Sequence, residues 1–147
     1  MINKSIKNSV IIINHFFQVS ILLGLVYLQS LTKSKALVMR HLYQRNLDFK
    51  SHFLSDTGLI IQSLIVILLM ISAAFYLKKL IELDRSYFKR IETALFIVIS
   101  LLILFVINID FFKNLLVYGY LILGFYLILI IQSTNIRIAE EDWKDQS

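Results

Sequence analysis

The chain has no cysteine, no proline, four glycines and little charge. Without cysteine there is no disulfide framework, no thiolate zinc site and no thiol nucleophile. Without proline, no helix carries a proline kink. The glycines, Gly24, Gly58, Gly119 and Gly124, are too scattered for a phosphate-cradling loop or a nucleophile elbow. They also give no support to the interrupted helices at many transporter substrate sites. Asp, Glu, Lys and Arg make up 17% of residues, against about 25% in a typical globular chain.

Apolar side chains are abundant instead. Of 147 residues, 58% are hydrophobic, and the mean hydropathy is +0.74. Soluble domains sit near 45–50%, and a monomer of this size has too little interior to hide the excess. Lipid must therefore solvate much of the chain. Disorder is excluded over most of its length.

Charge-free runs place the segments that cross the bilayer. Asn8 to Thr32 carries no Asp, Glu, Lys or Arg over 25 residues, Thr57 to Leu77 over 21, Thr93 to Ile109 over 17, and Asn114 to Ile136 over 23. A hydrocarbon core of ~30 Å needs about 20 helical residues. The third run is short but is flanked by Tyr87, Phe88, Ile91, Phe111 and Phe112, which extend it. The runs are continuously apolar, unlike the alternating strands of a barrel, and only a helix satisfies its own backbone in lipid. The expected fold is all-α: one transmembrane domain over 1–147, a four-helix bundle with spans at roughly 9–31, 58–78, 92–110 and 114–134, and a tail from 137. The first run is too long for a signal-peptide core and has no small-x-small cleavage site.

Four spans put both termini on one face. That face collects nine Lys and Arg, the other six, so the positive-inside rule places both termini in the cytoplasm. The first loop, 33–56, reads as a basic amphipathic helix in the membrane interface. Val38, Met39, Leu42, Tyr43, Leu47, Phe49, Phe53 and Leu54 share one side. Arg40, His41, Gln44, Arg45, Asp48, Ser51 and His52 fill the other, and Asn46 and Lys50 interrupt the apolar side. In the second loop Leu80, Leu83, Tyr87 and Ile91 follow helical spacing, so the third helix can begin early, near Arg85. Arg40, Arg45, Lys78, Lys79, Arg85, Lys89 and Arg90 form a candidate basic interface, read first as solvated orientation signals and otherwise as a partner surface. Asp110 to Lys113 makes a tight hairpin connection. The acidic tail, with Glu140, Glu141, Asp142 and Asp145, reads as a frayed soluble end.

No formal charge falls inside the four charge-free runs that set these spans, which argues against a proton pump, a transporter of charged substrates and an enzyme with a carboxylate pair. Uncharged polar residues remain. Asn14, His15 and Gln18 lie three and four apart on the first helix and share a face. With Gln62 and Ser100 they form a candidate interhelical polar cluster, and Ser63 and Ser72 join the same class of intramembrane glue. Haem or zinc at His15 would want further ligands that the spacing does not supply, so no cofactor or metal is expected. Ser20 and Gly24 make a small-xxx-small pair suited to close helix approach. Tyr118 and Tyr120 suit an interfacial belt, and the deeper Tyr126 needs a hydrogen-bond partner within the bundle. The pI near 9.5 fits anionic lipid headgroups better than nucleic acid.

The stretches FYLKKLIELDRSYFKRIETALFIVISLL and IAEEDW resemble the bacterial domain-of-unknown-function family 2975, small proteins with four transmembrane helices. The likeness covers about the last 75 residues. Trp143 departs from the family's Glu-Asn-Asp-Leu ending, and Phe88 stands alone where a Pro-Phe pair is usual. Members are often paired with helix-turn-helix regulators, so the resemblance implies a membrane partner in regulation. It carries over no catalytic residue.

The resulting expectation is a non-enzymatic accessory or regulatory membrane protein acting through protein contacts or self-association in the bilayer. The competing readings are a subunit of an oligomeric transporter or channel, lined by Asn14, Gln18, Gln62 and Ser100, and immunity to a membrane-active toxin. The expected location is the bacterial cytoplasmic membrane, with an organellar inner membrane as the alternative.

Overall fold

The computed structural model describes residues 4–51, 53–84 and 87–144. They form α1 (Lys4–Ser34), α2 (Ala36–Ser51), α3 (Asp56–Glu82), α4 (Tyr87–Asn108), α5 (Asp110–Lys113) and α6 (Tyr118–Lys144), with no strand among them. Four helices are long and apolar enough to cross a bilayer: Ile6–Ser34, Asp56–Glu82, Tyr87–Asn108 and Tyr118–Ala139. The chain is an all-α, multi-pass membrane protein. The third span begins at Tyr87 instead of 92 and the fourth at Tyr118 instead of 114, so the charged residues before Thr93 belong to a spanning helix.

Local chemistry sets the ends. Ser55, in extended conformation, caps α3 by accepting a bond from Gly58 N at 3.2 Å. A Cβ at Gly58 would lie 2.7 Å from Phe53 O, so the cap tolerates no side chain there. At its other end α3 stops where Asp84 takes a left-handed φ of 46°, a conformation that Asp adopts more readily than most residues. Arg90 then reaches back across the turn, Nη2 to Asp84 Oδ1 at 2.6 Å. Ile109 is extended (φ −88°, ψ 123°) and breaks α4 from the single turn of α5.

α4 and α6 form the centre. α3 packs on α4, α1 packs on α6, and α2 folds back onto α1 and α6. The interior runs through Leu59, Val66, Phe96, Ile103, Ile107, Tyr118, Ile122 and Leu129. The outward faces of α1 and α3 stay apolar and uncovered, with Phe16, Val26, Leu68 and Phe75 each about two-thirds exposed or more. Lipid is the solvent that makes such faces tolerable.

α1 follows a four-three repeat. Lys7, Ile11, Asn14, Gln18, Ile21, Leu25, Leu28 and Thr32 form its buried and half-buried stripe, the pattern of a coiled-coil seam. Gly124 of α6 receives it: a Cβ there would lie 2.7 Å from Leu25 Cδ1 and 3.4 Å from Ile21 Cγ2. Gly24 does the reverse. Nothing lies within 4 Å of its Cβ position, and Ser20 is exposed, so the expected small-residue pair takes no part in packing within the chain.

α2 is a helix as expected, but its buried stripe differs from the expected apolar side. Leu42 and Asn46 are buried, while Met39, Tyr43 and Leu47 are exposed. Phe49 anchors it edge-on against Tyr120, with ring centroids 5.7 Å apart, and fills the space left at Gly119. The acidic tail corrects another expectation, since the backbone is helical through Lys144. Its acidic side chains, like His52 and Arg85, lie outside what the structure describes.

Candidate functional site: a closed ring of polar side chains

Near the termini end of the bundle, four side chains from three helices close a hydrogen-bonded ring. Asn14, His15 and Gln18 occupy adjacent turns of α1, and Gln132 and Asn135, three apart, answer them from α6. Glu92 enters from the second turn of α4. Gln18 Nε2 donates to Gln132 Oε1 at 3.0 Å and to Ile128 O at 3.3 Å. Gln132 Nε2 donates to Glu92 Oε2 at 2.8 Å and to Glu92 O at 2.9 Å. Glu92 Oε1 lies 3.1 Å from His15 Nε2, and His15 Nδ1 lies 3.0 Å from Gln18 Oε1. One turn toward the termini, Asn14 Nδ2 donates to Asn135 Oδ1 at 2.7 Å.

The bond directions set the donors and acceptors around the ring. Gln18 spends both amide hydrogens on Ile128 and Gln132, so its Oε1 accepts, and His15 Nδ1 carries a hydrogen. Gln132 likewise spends both on Glu92. The His15–Glu92 contact closes the ring, and with the two bonds from Gln132 it surrounds a carboxyl group only 1% exposed with polar partners. Glu92 is nearly enclosed, whereas the His15 side chain is 35% exposed.

Two lysines on the helices of the ring are buried. Lys89 is 6% exposed, with its ammonium 5.3 Å from the centre of the Tyr76 ring, and Lys7 is 4% exposed. Lys89 was expected in a solvated basic interface; burial against α3 overturns that. Arg40, Arg45, Lys78 and Lys79 are exposed, Arg90 is half-buried on Asp84, and Arg85 lies outside the described residues.

Glu92, Lys89 and Lys7 lie in the first turns of helices long and apolar enough to cross a bilayer, outside the charge-free runs, and each is buried within the bundle.

The other expected members of the cluster lie elsewhere. Gln62 is buried toward the α2 end. Its Nε2 donates to Phe53 O at 2.8 Å, and its Oε1 accepts from the Tyr126 hydroxyl at 3.3 Å, the partner that Tyr126 needed. Ser100 is fully buried but donates to Phe96 O of its own helix at 2.8 Å. Ser72 does the same with Leu69 O. A hydroxyl bonded to its own preceding turn joins no helices, so neither serine is interhelical glue.

Among the described residues no group of three or more His, Cys, Asp and Glu side chains gathers as metal ligands would. Comparison of the chain with family models, with curated proteins and with solved structures found no match.

Proposed function

We propose that this membrane protein is a non-enzymatic accessory or regulatory component that works through protein–protein contact inside the bilayer. The observation that carries the reading is the division of α1 into two faces. One face is consumed by the seam to α6 and the ring. The other turns Phe17, Ser20, Gly24 and Tyr27 outward, with open space at Gly24. A small-residue face lets a second helix approach closely and gain van der Waals contact that lipid does not supply as well. The partner is another membrane helix, or a second copy of this chain.

The pore reading loses support from the same geometry. Asn14, Gln18 and Gln62, which were to line it, bond to Asn135, Gln132, Phe53 and Tyr126 of their own bundle. Two parts of the proposal stand on sequence: termini in the cytoplasm of a bacterial cell, from the Lys and Arg balance, and a regulatory partner, from the resemblance to family 2975. Exposed Arg40, Arg45, Lys78 and Lys79 suit anionic headgroups.

Pull-down of the tagged protein from mild detergent tests the reading. A stoichiometric membrane partner, or a dimer, should be recovered with the native chain and lost with Gly24→Leu. Recovery of the lone protein across several detergents, or an unchanged complex with Gly24→Leu, contradicts it.

A further inference from the structure

Two clefts adjoin at the end of the bundle opposite the ring. One, of about 470 Å³, opens between the end of α2, the start of α3 and the α5 turn, and Lys50, Asp56, Lys113 and Tyr118 border it. The other, of about 330 Å³, continues along α3 and α4 past Ile60, Leu64 and Ile107. They share Asp56, Leu59 and Lys113. Both volumes fall in the usual range for small-molecule sites, roughly 300–1,000 Å³.

We propose that the joined clefts hold one phospholipid with a primary-amine headgroup, its phosphate against Lys50 and Lys113, its ammonium against Asp56 and an acyl chain along Ile60 and Leu64.

Charge and depth both point to this occupant. The ammonium of Lys50 and the carboxylate of Asp56 border one cleft, and neither forms an ion pair among the described residues. Lys113 is held at the rim by Asp110 at 3.3 Å, which fixes it there and leaves it donors to spare. An anion alone would satisfy the lysines and oppose Asp56; a zwitterion satisfies both. The second cleft excludes a purely polar ligand. Asp56, Ile60 and Leu64 stand four apart on α3, so the groove descends about 12 Å from the helix start into the hydrocarbon. Ile60 and Leu64 are more than half exposed along it. A molecule that spans both clefts needs a doubly charged head and an apolar chain. The bilayer supplies such molecules, and the site opens laterally onto them. This inference is independent of the face on α1 and of any protein partner.

Native mass spectrometry of the full chain released from nanodiscs tests it, with phosphatidylethanolamine, phosphatidylcholine and phosphatidylglycerol as probes in equal amounts. The protein should retain one phosphatidylethanolamine in about tenfold excess over phosphatidylcholine, whose quaternary ammonium cannot donate to Asp56. Asp56→Asn should erase that preference and favour phosphatidylglycerol, while Lys50→Ala with Lys113→Ala should lower retention of all three. Leu64→Trp, which fills the groove and leaves the head contacts intact, should also displace the lipid; it serves if Asp56→Asn unsettles the start of α3. Soluble phosphoethanolamine, a headgroup without chains, should compete poorly. Equal retention of the three lipids, preference for phosphatidylglycerol by the native chain, or indifference to Leu64→Trp overturns the proposal.

Discussion

His15 Nε2 and Glu92 Oε1 lie 3.1 Å apart, joining α1 to α4 across 77 residues of sequence. Gln18 and Gln132 complete the circuit, so the network fixes both the register and the rotation of α1 on the bundle.

Removing the carboxylate strands two donors at once. Glu92→Ala leaves His15 and Gln132 facing a void, and should cost about 3 kcal/mol, as breaking a buried pair does. Thermal unfolding in detergent measures this. Glu92→Gln, of nearly the same shape, should cost less. His15→Ala should also cost less than Glu92→Ala, because His15 sits at the edge of the ring.

Glycines on facing helices should respond in opposite ways. Gly124→Leu drives a side chain into Leu25 and should destabilise the bundle by about 1–3 kcal/mol. Gly24→Leu meets open space and should leave the thermal midpoint of the isolated protein nearly unchanged. Equal midpoints for the two variants would contradict the assignment of the two faces of α1.

Hydroxyl groups bonded within their own helix should be dispensable. Ser100→Ala should change stability by less than about 0.5 kcal/mol. Tyr126→Phe breaks the bond to Gln62 and should cost about 0.6 kcal/mol, the average for such bonds in a membrane. Chemical denaturation in mixed micelles compares them.

The α2 anchor is a single ring. Phe49→Ala removes the packing on Tyr120 and Gly119, and should raise protease cleavage between α2 and α3 with little effect on the ring. Gly119→Val should do the same from the other side. Limited proteolysis of the protein in nanodiscs reads both.

Much of the fold was legible in the sequence because lipid is a simple solvent: a long run without charge crosses it. The same rule starts the third span at 92, although the spacing of Leu80, Leu83, Tyr87 and Ile91 points to the earlier start seen at Tyr87. It ends a segment at the first charge, whereas a protein interior holds a charge that meets its partner, and Glu92 meets His15. Asn14, His15 and Gln18 declared a polar face by their spacing. Their partners lie 77 to 121 residues away, a distance no local periodicity reports. Gln132 and Asn135 carry a visible signal of their own, two amides three apart in an apolar run. Ser20 and Gly24 teach the complementary lesson: spacing shows that residues share a face but not which way that face looks. On α2, Asn46 broke the apolar pattern yet lies in the buried stripe, because the stripe follows Leu42 and Phe49 against the bundle.

The most direct test of the account is a cross-link between the start of α1 and the end of α6. The chain has no cysteine, so Asn14→Cys with Asn135→Cys reports without background. In native membranes a short bifunctional thiol reagent, which bridges the few ångströms left when two asparagines become cysteines, should link this pair within one chain, while Tyr27→Cys with Asn135→Cys should not be linked. No cross-link at 14 and 135, or cross-links only between chains, would contradict the arrangement of spans and the ring within it.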